Sequence, residues 1–431
     1  MTAPDQHEAA DLPPGTRFVD AFVIDVNGTP RGKRLPAADW LATDGKVAFS
    51  AGALVLDARG MVQGPLGIGT TDGDPDGLAE AVPGGLQPVP WANPLGAVAQ
   101  CLLSMRMDGE ALWYDSRHIL ANVVSKCRAD GLHPVVACEL EFYLVEMGPD
   151  GRPAPPHAGT KAESGHLCLQ HLEANGLFLH ALHDALTVQG IAAGTLVSEY
   201  GPGQFEVNLT HTADPVLAAD QAVLLRRAVH GVAASQGKRA TFMAKPYPQH
   251  AGNGLHIHVS LVDPNGQNRF GGDGGQALLE QAVAGMQALL PGSMAALAPN
   301  FSAYRRFRAG AFVAGSASWG INSRAAAFRI PPGGASSRRI EHRVAGADAS
   351  PHLAMACVLA GLHYGIINQP APDDSRHLPR DFFTALDAFN SSRELGSYFP
   401  DQFQDLYAAL RRAETADLLA TVSAQEFAWY L

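Results

Sequence analysis

Apolar and polar positions along the chain follow two periods, and the places where one replaces the other mark the elements. Residues 17–36, RFVDAFVIDVNGTPRGKRLP, alternate on either side of Asn27-Gly28. That pattern predicts two strands joined by a tight turn. AVAQCLLSMRM (97–107) predicts another strand. In DSRHILANVVSKCRADG, Ile119, Leu120, Val123, Val124 and Cys127 recur at helical spacing, with Asp115 or Ser116 as cap and Gly131 as terminator. HPVVACELEFYLVE (133–146) returns to period two. DPVLAADQAVLLRRAVHGVAASQG predicts a helix capped by Asp214, with Pro215 at its first position. TFMAKPY (241–247) and LHIHVSLV (255–262) are expected to be strands, the second closed by a turn at Asp263-Pro264-Asn265-Gly266. From residue 349 to Leu431 the pattern is mostly helical. Residues 1–15 are expected to be disordered, and Gly- and Pro-rich loops occupy 50–94. A boundary near Asp108-Gly109 divides the rest into 16–107 and 108–431.

Composition narrows the function classes. A chain of 431 residues can bury a large core in two domains, and a net charge of −11 gives no case for nucleic acid or an anionic membrane as partner. No apolar run reaches the ~20 residues needed to cross a bilayer. The first fifteen residues carry no apolar signal core. Cys101, Cys127, Cys138, Cys168 and Cys357 are scattered and form no CxxC pair. Buried free thiols in a reducing cytoplasm are the expectation. One segment departs from the acidic whole. Arg305, Arg306, Arg308, Arg324, Arg329, Arg338, Arg339 and Arg343 share the stretch 305–343 with a single acid, Glu341. Guanidinium forks match phosphate and carboxylate oxygens.

Candidate chemistry lies on the strands. Residues two apart on a strand share a face. Glu139 and Glu141 therefore point together, as do His256 and His258, and Arg339, Glu341 and Arg343 form a third face. Glu199 and Glu206 stand seven apart around a Pro-Gly turn. Five carboxylates and a His make an oxygen-rich set suited to Mg²⁺ or Mn²⁺ rather than to structural Zn²⁺. Taken singly, each motif is weak. A solvated strand face, an unliganded His pair and an ion-pair ladder show the same spacings. The chain has no GxxxxGK[ST] loop, no GxGxxG between a strand and a helix, and no GxSxG elbow.

The order of the motifs is more specific. Glu-x-Glu, the Glu pair, Gly-x-Gly-x-His-x-His and Arg-x-Glu-x-Arg, in that sequence, resemble the glutamine synthetase superfamily. TFMAKPYPQHAGNGLHIHVSL, NSRAAAFRIP and RIEHRVAGADASPHLA extend the likeness toward its γ-glutamylpolyamine and γ-glutamylamide synthetase branch, and VDAFVIDVNGTPRGKRLP and GDPDGLAEAVPGGLQPVPW do so at the N-terminal end. The resemblance implies an α+β fold, with a small N-terminal β-grasp-like domain and a large C-terminal catalytic domain built on a curved antiparallel sheet with surrounding helices. It also implies a ligase. ATP phosphorylates the γ-carboxylate of glutamate, and an amine displaces the phosphate.

Carried over by motif, Glu141, Glu199 and Glu206 would hold a first metal, and Glu139, His256 and Glu341 a second. His258, Ser260, Arg329 and Arg339 would contact the nucleotide. Arg306 and Arg343 would clamp glutamate, and Arg324, Arg329 and Arg339 would stabilise phosphoryl charge. Asp76, with Asp74 as competitor, matches the acid that a neighbouring subunit supplies in a homo-oligomeric ring, hexamer or dodecamer. Asp76 or Glu199 would serve as base toward the amine.

The chain also departs from the family pattern. Phe312 stands where ordinary glutamine synthetases carry a flap glutamate six residues after the arginine matched by Arg306. Ala251 replaces a glutamate-binding Asn, which leaves backbone near Gly252 for that contact. The apolar surroundings of Phe312 favour an organic amine, a monoamine before a polyamine, over ammonia. Two other readings stay open: a glutamine synthetase with an altered flap, and a non-catalytic structural or regulatory relative.

Overall fold

The computed structural model describes residues 12–91, 97–148, 151, 153–156, 166–307 and 313–431. Residues 1–11 of the stretch expected to be disordered, and Phe312, lie outside them.

The first sheet contains β1 (Thr16–Ile24), β2 (Pro30–Pro36), β3 (Lys46–Ser50), β4 (Asp76–Pro88), β5 (Ala97–Met107) and β6 (Glu110–Ala111). Its order is β2-β1-β5-β4-β3, with β6 against β5. β1 runs parallel to β5, and the other pairs are antiparallel. The β1–β2 turn forms where the pattern predicts it. The buried Asp25 carboxylate accepts from the backbone N–H groups of Asn27 and Thr29 and from Arg31 Nε at 2.8–2.9 Å. Gly28 takes the left-handed conformation that the turn needs, with φ +73°. The helix α1 (Ala37–Ala42) follows.

The second sheet contains β7 (His133–Met147), β8 (Pro153–Ala154), β9 (Ala193–Ser198), β10 (Gln204–Leu209), β11 (Arg239–Thr241), β12 (Leu255–Val262), β13 (Trp319–Ile321), β14 (Phe328–Ile330) and β15 (Ile340–His342). Its path is β13-β14-β15-β12-β7-β10-β9, antiparallel except for β13 with β14. β7 lies at the centre. Cys138, Leu140, Phe142 and Leu144 are buried in the core, where β7 packs on α2 (Ser116–Ala129) and α5 (Pro215–Ser235). Glu139 and Glu141 face the other way. As expected, Asp115 and Asp214 cap α2 and α5, their carboxylates accepting from backbone N–H groups of the first turn.

The remaining helices are α3 (Leu169–Ala174), α4 (Gly176–Val188), α6 (Gly275–Leu297), α7 (Pro351–Asn368), α8 (Phe382–Ser391), α9 (Arg393–Gly396), α10 (Phe403–Leu419) and α11 (Ala424–Tyr430). The hydrophobic pattern marks no helix over α6. That helix is buried on nearly every side, so it shows no polar stripe to set a period.

One expected strand is corrected. Only Arg239–Thr241 forms a ladder, and TFMAKPY beyond Thr241 is irregular. Side chains take over the backbone bonding there. Asn253 Nδ2 donates to Met243 O at 2.9 Å, and Ala244 N–H donates to Asp348 at 3.1 Å. Pro246 and Pro248 lack the N–H groups that a ladder requires.

Candidate active site

Four adjacent strands bring the carboxylates and histidines to one face. In the ladder, Glu206 of β10 lies opposite Glu141, His256 of β12 lies opposite Glu139, and Glu341 of β15 lies opposite His258. Glu199 closes the group from the end of β9. The β9–β10 turn is held by Gln204, which accepts from Gly201 N–H at 2.9 Å and donates to Asn253 Oδ1 and Gly252 O at 3.0 Å. This links the Glu199–Glu206 hairpin to the Gly-Asn-Gly segment before β12.

The distances are short. His256 Nδ1 lies 3.3 Å from Glu139 and 3.9 Å from both Glu206 and Glu341. His258 Nε2 lies 2.8 Å from the other Glu139 oxygen. Arg339 Nε donates to His258 Nδ1 at 3.0 Å. Three groups each offer ligand atoms within 4.8 Å of one another: Glu141 with Glu199 and Glu206, Glu139 with Glu206 and His256, and Glu139 with His258 and Glu341.

So many acids in one partly dry space cannot all ionise unaided. Burial, reinforced by the charges of Glu139, Glu141 and Glu199, pushes Glu206 up to about 9. Burial and the Glu199 charge push Glu141 up to about 8, although the Gly254 N–H and two arginines oppose this. Glu199 is also raised by burial, against His166 and Arg324. Burial acts on Glu139 and Glu341 in the same direction, but there it is overridden. His256 and His258 hold Glu139 below the ordinary carboxylate range, and His256, Arg343 and His258 hold Glu341 below it.

The arginines line the same space. Glu341, 1 % exposed, pairs with Arg343 and, at 2.6 Å, with Arg329. Arg329 also donates to Asn322 Oδ1 at 2.9 Å. Arg306 is buried beside Glu141 and donates to Val344 O at 3.0 Å. The Nε groups of Arg306, Arg329 and Arg343 are buried with no hydrogen-bond partner among the described residues. Arg324 is exposed near Glu199. Ser260 is buried on β12, two residues beyond His258 and on the same face. The glycines admit this packing. A Cβ on Gly252 would lie 2.6 Å from Ala244 O, and one on Gly254 would lie 2.7 Å from His256 Nε2.

The model of the glutamine synthetase catalytic domain matches residues 113–430. The chain belongs to the glutamine synthetase family. It is 37% identical to the γ-glutamylputrescine synthetase PuuA of Escherichia coli (strain K12), over 97% of this chain and 92% of that one. It is 29% identical to the glutamate–isopropylamine ligase of a Pseudomonas species, over 95% and 93%. The solved structure of unliganded GmaS superimposes with a TM-score of 0.84 at 25% identity, covering 96% of both chains.

The donor set of this family member fits divalent cations. Hard carboxylate oxygens dominate it, and Glu141 and Glu206, raised to about 8 and 9, are the groups a bound cation would return to their charged form. Asp76 is elsewhere, exposed at the start of β4, with no bond to this cluster among the described residues. Asp74 accepts from Ser50 Oγ and Gly52 N–H, so its carboxylate serves its own loop. Sequence reasoning missed His166, 3.6 Å from Glu199 and stacked on Tyr200 with ring centroids 4.1 Å apart. It also missed Asn208, which donates to Glu206 at 3.0 Å. His166 has no periodic context to single it out. Asn208 does share a strand face with Glu206, two residues away.

Proposed function

We propose that this protein is an ATP-dependent glutamate–amine ligase that joins the γ-carboxylate of glutamate to a primary alkyl amine through γ-glutamyl phosphate. The observation that carries this reading is one bowl holding a carboxylate–histidine cluster and three buried arginine Nε groups that have no partner among the described residues. Such N–H groups suit carboxylate and phosphate oxygens. Mg²⁺ or Mn²⁺ held by Glu141, Glu199 and Glu206, and by Glu139, His256 and Glu341, would supply neutralising charge for the phosphates of ATP.

Around that charge the side chains divide the work. Arg306 and Arg343 bind the carboxylates of glutamate, with backbone near Gly252 completing the pocket. Arg324, Arg329 and Arg339 offset charge on the transferring phosphoryl oxygens, and His258 and Ser260 position the nucleotide. The amine nitrogen attacks the acyl carbon, the C–O bond to phosphate breaks, and Glu199 or Asp76 takes the proton from nitrogen. Asp76 acts from a neighbouring subunit of a ring-shaped homo-oligomer, hexamer or dodecamer. The cytoplasm suits the chain, because all five cysteines are free and four of them are buried. Among the described residues no helix is long and apolar enough to cross a membrane.

Glutamate-dependent phosphate release from ATP, compared across putrescine, isopropylamine, ethanolamine and ammonium, tests the reading. A primary amine is expected to give the highest kcat/KM. Ammonium ahead of every amine by tenfold would make this a glutamine synthetase, and no glutamate-dependent release with any of them would make it a non-catalytic relative.

A further inference from the structure

Glu199 is the carboxylate that joins the ligand cluster to a pair of aromatic rings. It offers a ligand atom within 4.8 Å of those of Glu141 and Glu206. Its Oε2 also lies 3.6 Å from His166 Nδ1. The His166 ring lies flat on Tyr200, 7° from parallel, with centroids 4.1 Å apart. Imidazole and phenol therefore form one flat slab beside Glu199. The slab is not core packing, because the His166 side chain is 28 % exposed and Tyr200 is 41 % exposed. Covering such ring surface with carbon is favourable, and the rings are large enough to receive several methylenes.

Both rings are held in place. A Cβ on Gly201, next to Tyr200, would lie 1.9 Å from Tyr143 Oη, so this turn packs directly on the Tyr143 side chain. Gly201 N–H donates to Gln204 Oε1 at 2.9 Å, which fixes the turn from the other side. His166 is tied through the next residue. Leu167 N–H donates to Ser198 O, at the end of β9, at 2.8 Å. Leu167 does so with φ +55°, a left-handed conformation that is uncommon for leucine. Strain of this kind persists where the surroundings over-determine it, and it gathers at functional sites.

We propose that His166 and Tyr200 are the wall on which the amine substrate lays its alkyl chain, and that they make the enzyme favour longer alkylamines over methylamine and ammonium. The inference rests on the ligase reading above, in which the amine nitrogen reacts beside Glu199. An amine placed there starts at the edge of the slab, and each further methylene covers more ring. Neither ring carries an acid, so the slab selects for carbon rather than for a second positive charge. His166 and Tyr200 thus supply a specificity term that the metal ligands and arginines cannot.

The test is the kcat/KM of the assembled full-length enzyme for methylamine, ethylamine, propylamine and butylamine, at saturating ATP and glutamate. In the wild type it is expected to rise along the series, and a flat or falling series overturns the wall without any variant. The butylamine-to-methylamine ratio is independent of how much of a preparation is folded. In His166→Ala and in Tyr200→Ala that ratio is expected to fall about tenfold, since the methylenes lose their surface. In His166→Phe, which keeps a flat ring on Tyr200 and removes the nitrogen facing Glu199, the ratio is expected to stay within about twofold of the wild type. An unchanged ratio in both alanine variants, with all amines slowed alike, would make the rings mere props for Glu199 and overturn the proposal. A loss in His166→Phe equal to that in His166→Ala would assign the effect to the imidazole nitrogen and overturn it as well. Glutamate-dependent phosphate release with ammonium alone overturns the wall and leaves the acyl-phosphate chemistry standing. No such release with any amine or with ammonium overturns the ligase reading itself.

Discussion

At the scale of single residues, Glu341 organises the most charge. It is 1 % exposed, and its single carboxylate bridges Arg329 and Arg343. Glu341→Ala leaves two guanidiniums without their carboxylate. Breaking a buried pair in this way costs about 3 kcal/mol. Urea unfolding of the metal-free protein should show a loss of that order, and glutamate-dependent phosphate release should fall by more than a hundredfold. Unchanged stability would mean that Arg329 and Arg343 find other partners. Glu141 and Glu206 set a pH dependence whose sign follows from their shifts. Both are raised in the folded, metal-free chain, to about 8 and about 9, from an ordinary 4.5. Below 4.5 both states are protonated and there is no effect. As pH rises from 4.5 toward 9, the unfolded state gives up these protons first, and folded stability falls. A bound divalent cation removes the need for the protons. The gap in Tm between Mn²⁺-loaded and chelator-treated protein is therefore expected to widen from pH 6 to pH 9. A gap that narrows would contradict the placement of these carboxylates around a metal.

At the scale of elements, the sheet is a precise holder because the helices behind it pack closely. α6 and α7 cross backbone to backbone. A Cβ on Gly285 would lie 2.2 Å from the backbone of Gly365 and 2.3 Å from Gly361 O. Neither atom is the end of a movable side chain, so Gly285→Ala must push the helices apart. The gain in helix propensity, about 1 kcal/mol, is smaller than the overpacking cost of about 1–3 kcal/mol. A net loss of stability is expected, read as a lower Tm, and a raised Tm would show that the crossing can open without cost. The same scale explains the miss at TFMAKPY. Phe242 and Ala244 are buried and Met243 between them is exposed, as in a strand, but Asn253 and Asp348 take the backbone groups that a ladder would use.

At the scale of the whole molecule, the exposed Asp76 and the bowl lie on different sheets. If a neighbour's Asp76 completes each bowl, Asp76→Ala and Arg339→Ala damage different contributions to the same site. Each variant alone should be nearly inactive. Subunits dissociated and reassembled together should recover activity, because a fraction of bowls then pair an intact Asp76 with an intact Arg339. No recovery, or full activity in a species shown by light scattering to be a monomer, would remove Asp76 from the chemistry.

The local parts of this design were legible in the chain. Pleating is a property of every strand, so Glu139 with Glu141 and His256 with His258 had to share faces wherever the strands went. The caps Asp115 and Asp214 and the turn at Gly28 are equally local, each set by a side chain or a φ angle within a few residues. The order of the four motifs pointed to the family, because that combination of ligand spacings is rare even though each motif is common. Only the tertiary structure decided what lies beside what. It placed Glu341 next to His258 across 82 intervening positions, turned Gln204 onto Asn253, and set His166 against Glu199. It also decided the charge states, which depend on burial and on neighbours distant in sequence. Glu139 and Glu141 have the same local signature, yet the histidines lower one and the surrounding acids raise the other. In sequence Arg226 and Arg227 are adjacent helix arginines, and only long-range packing pairs Arg227 with Asp20 and turns Arg226 onto the carbonyls of Ala347 and Ala349.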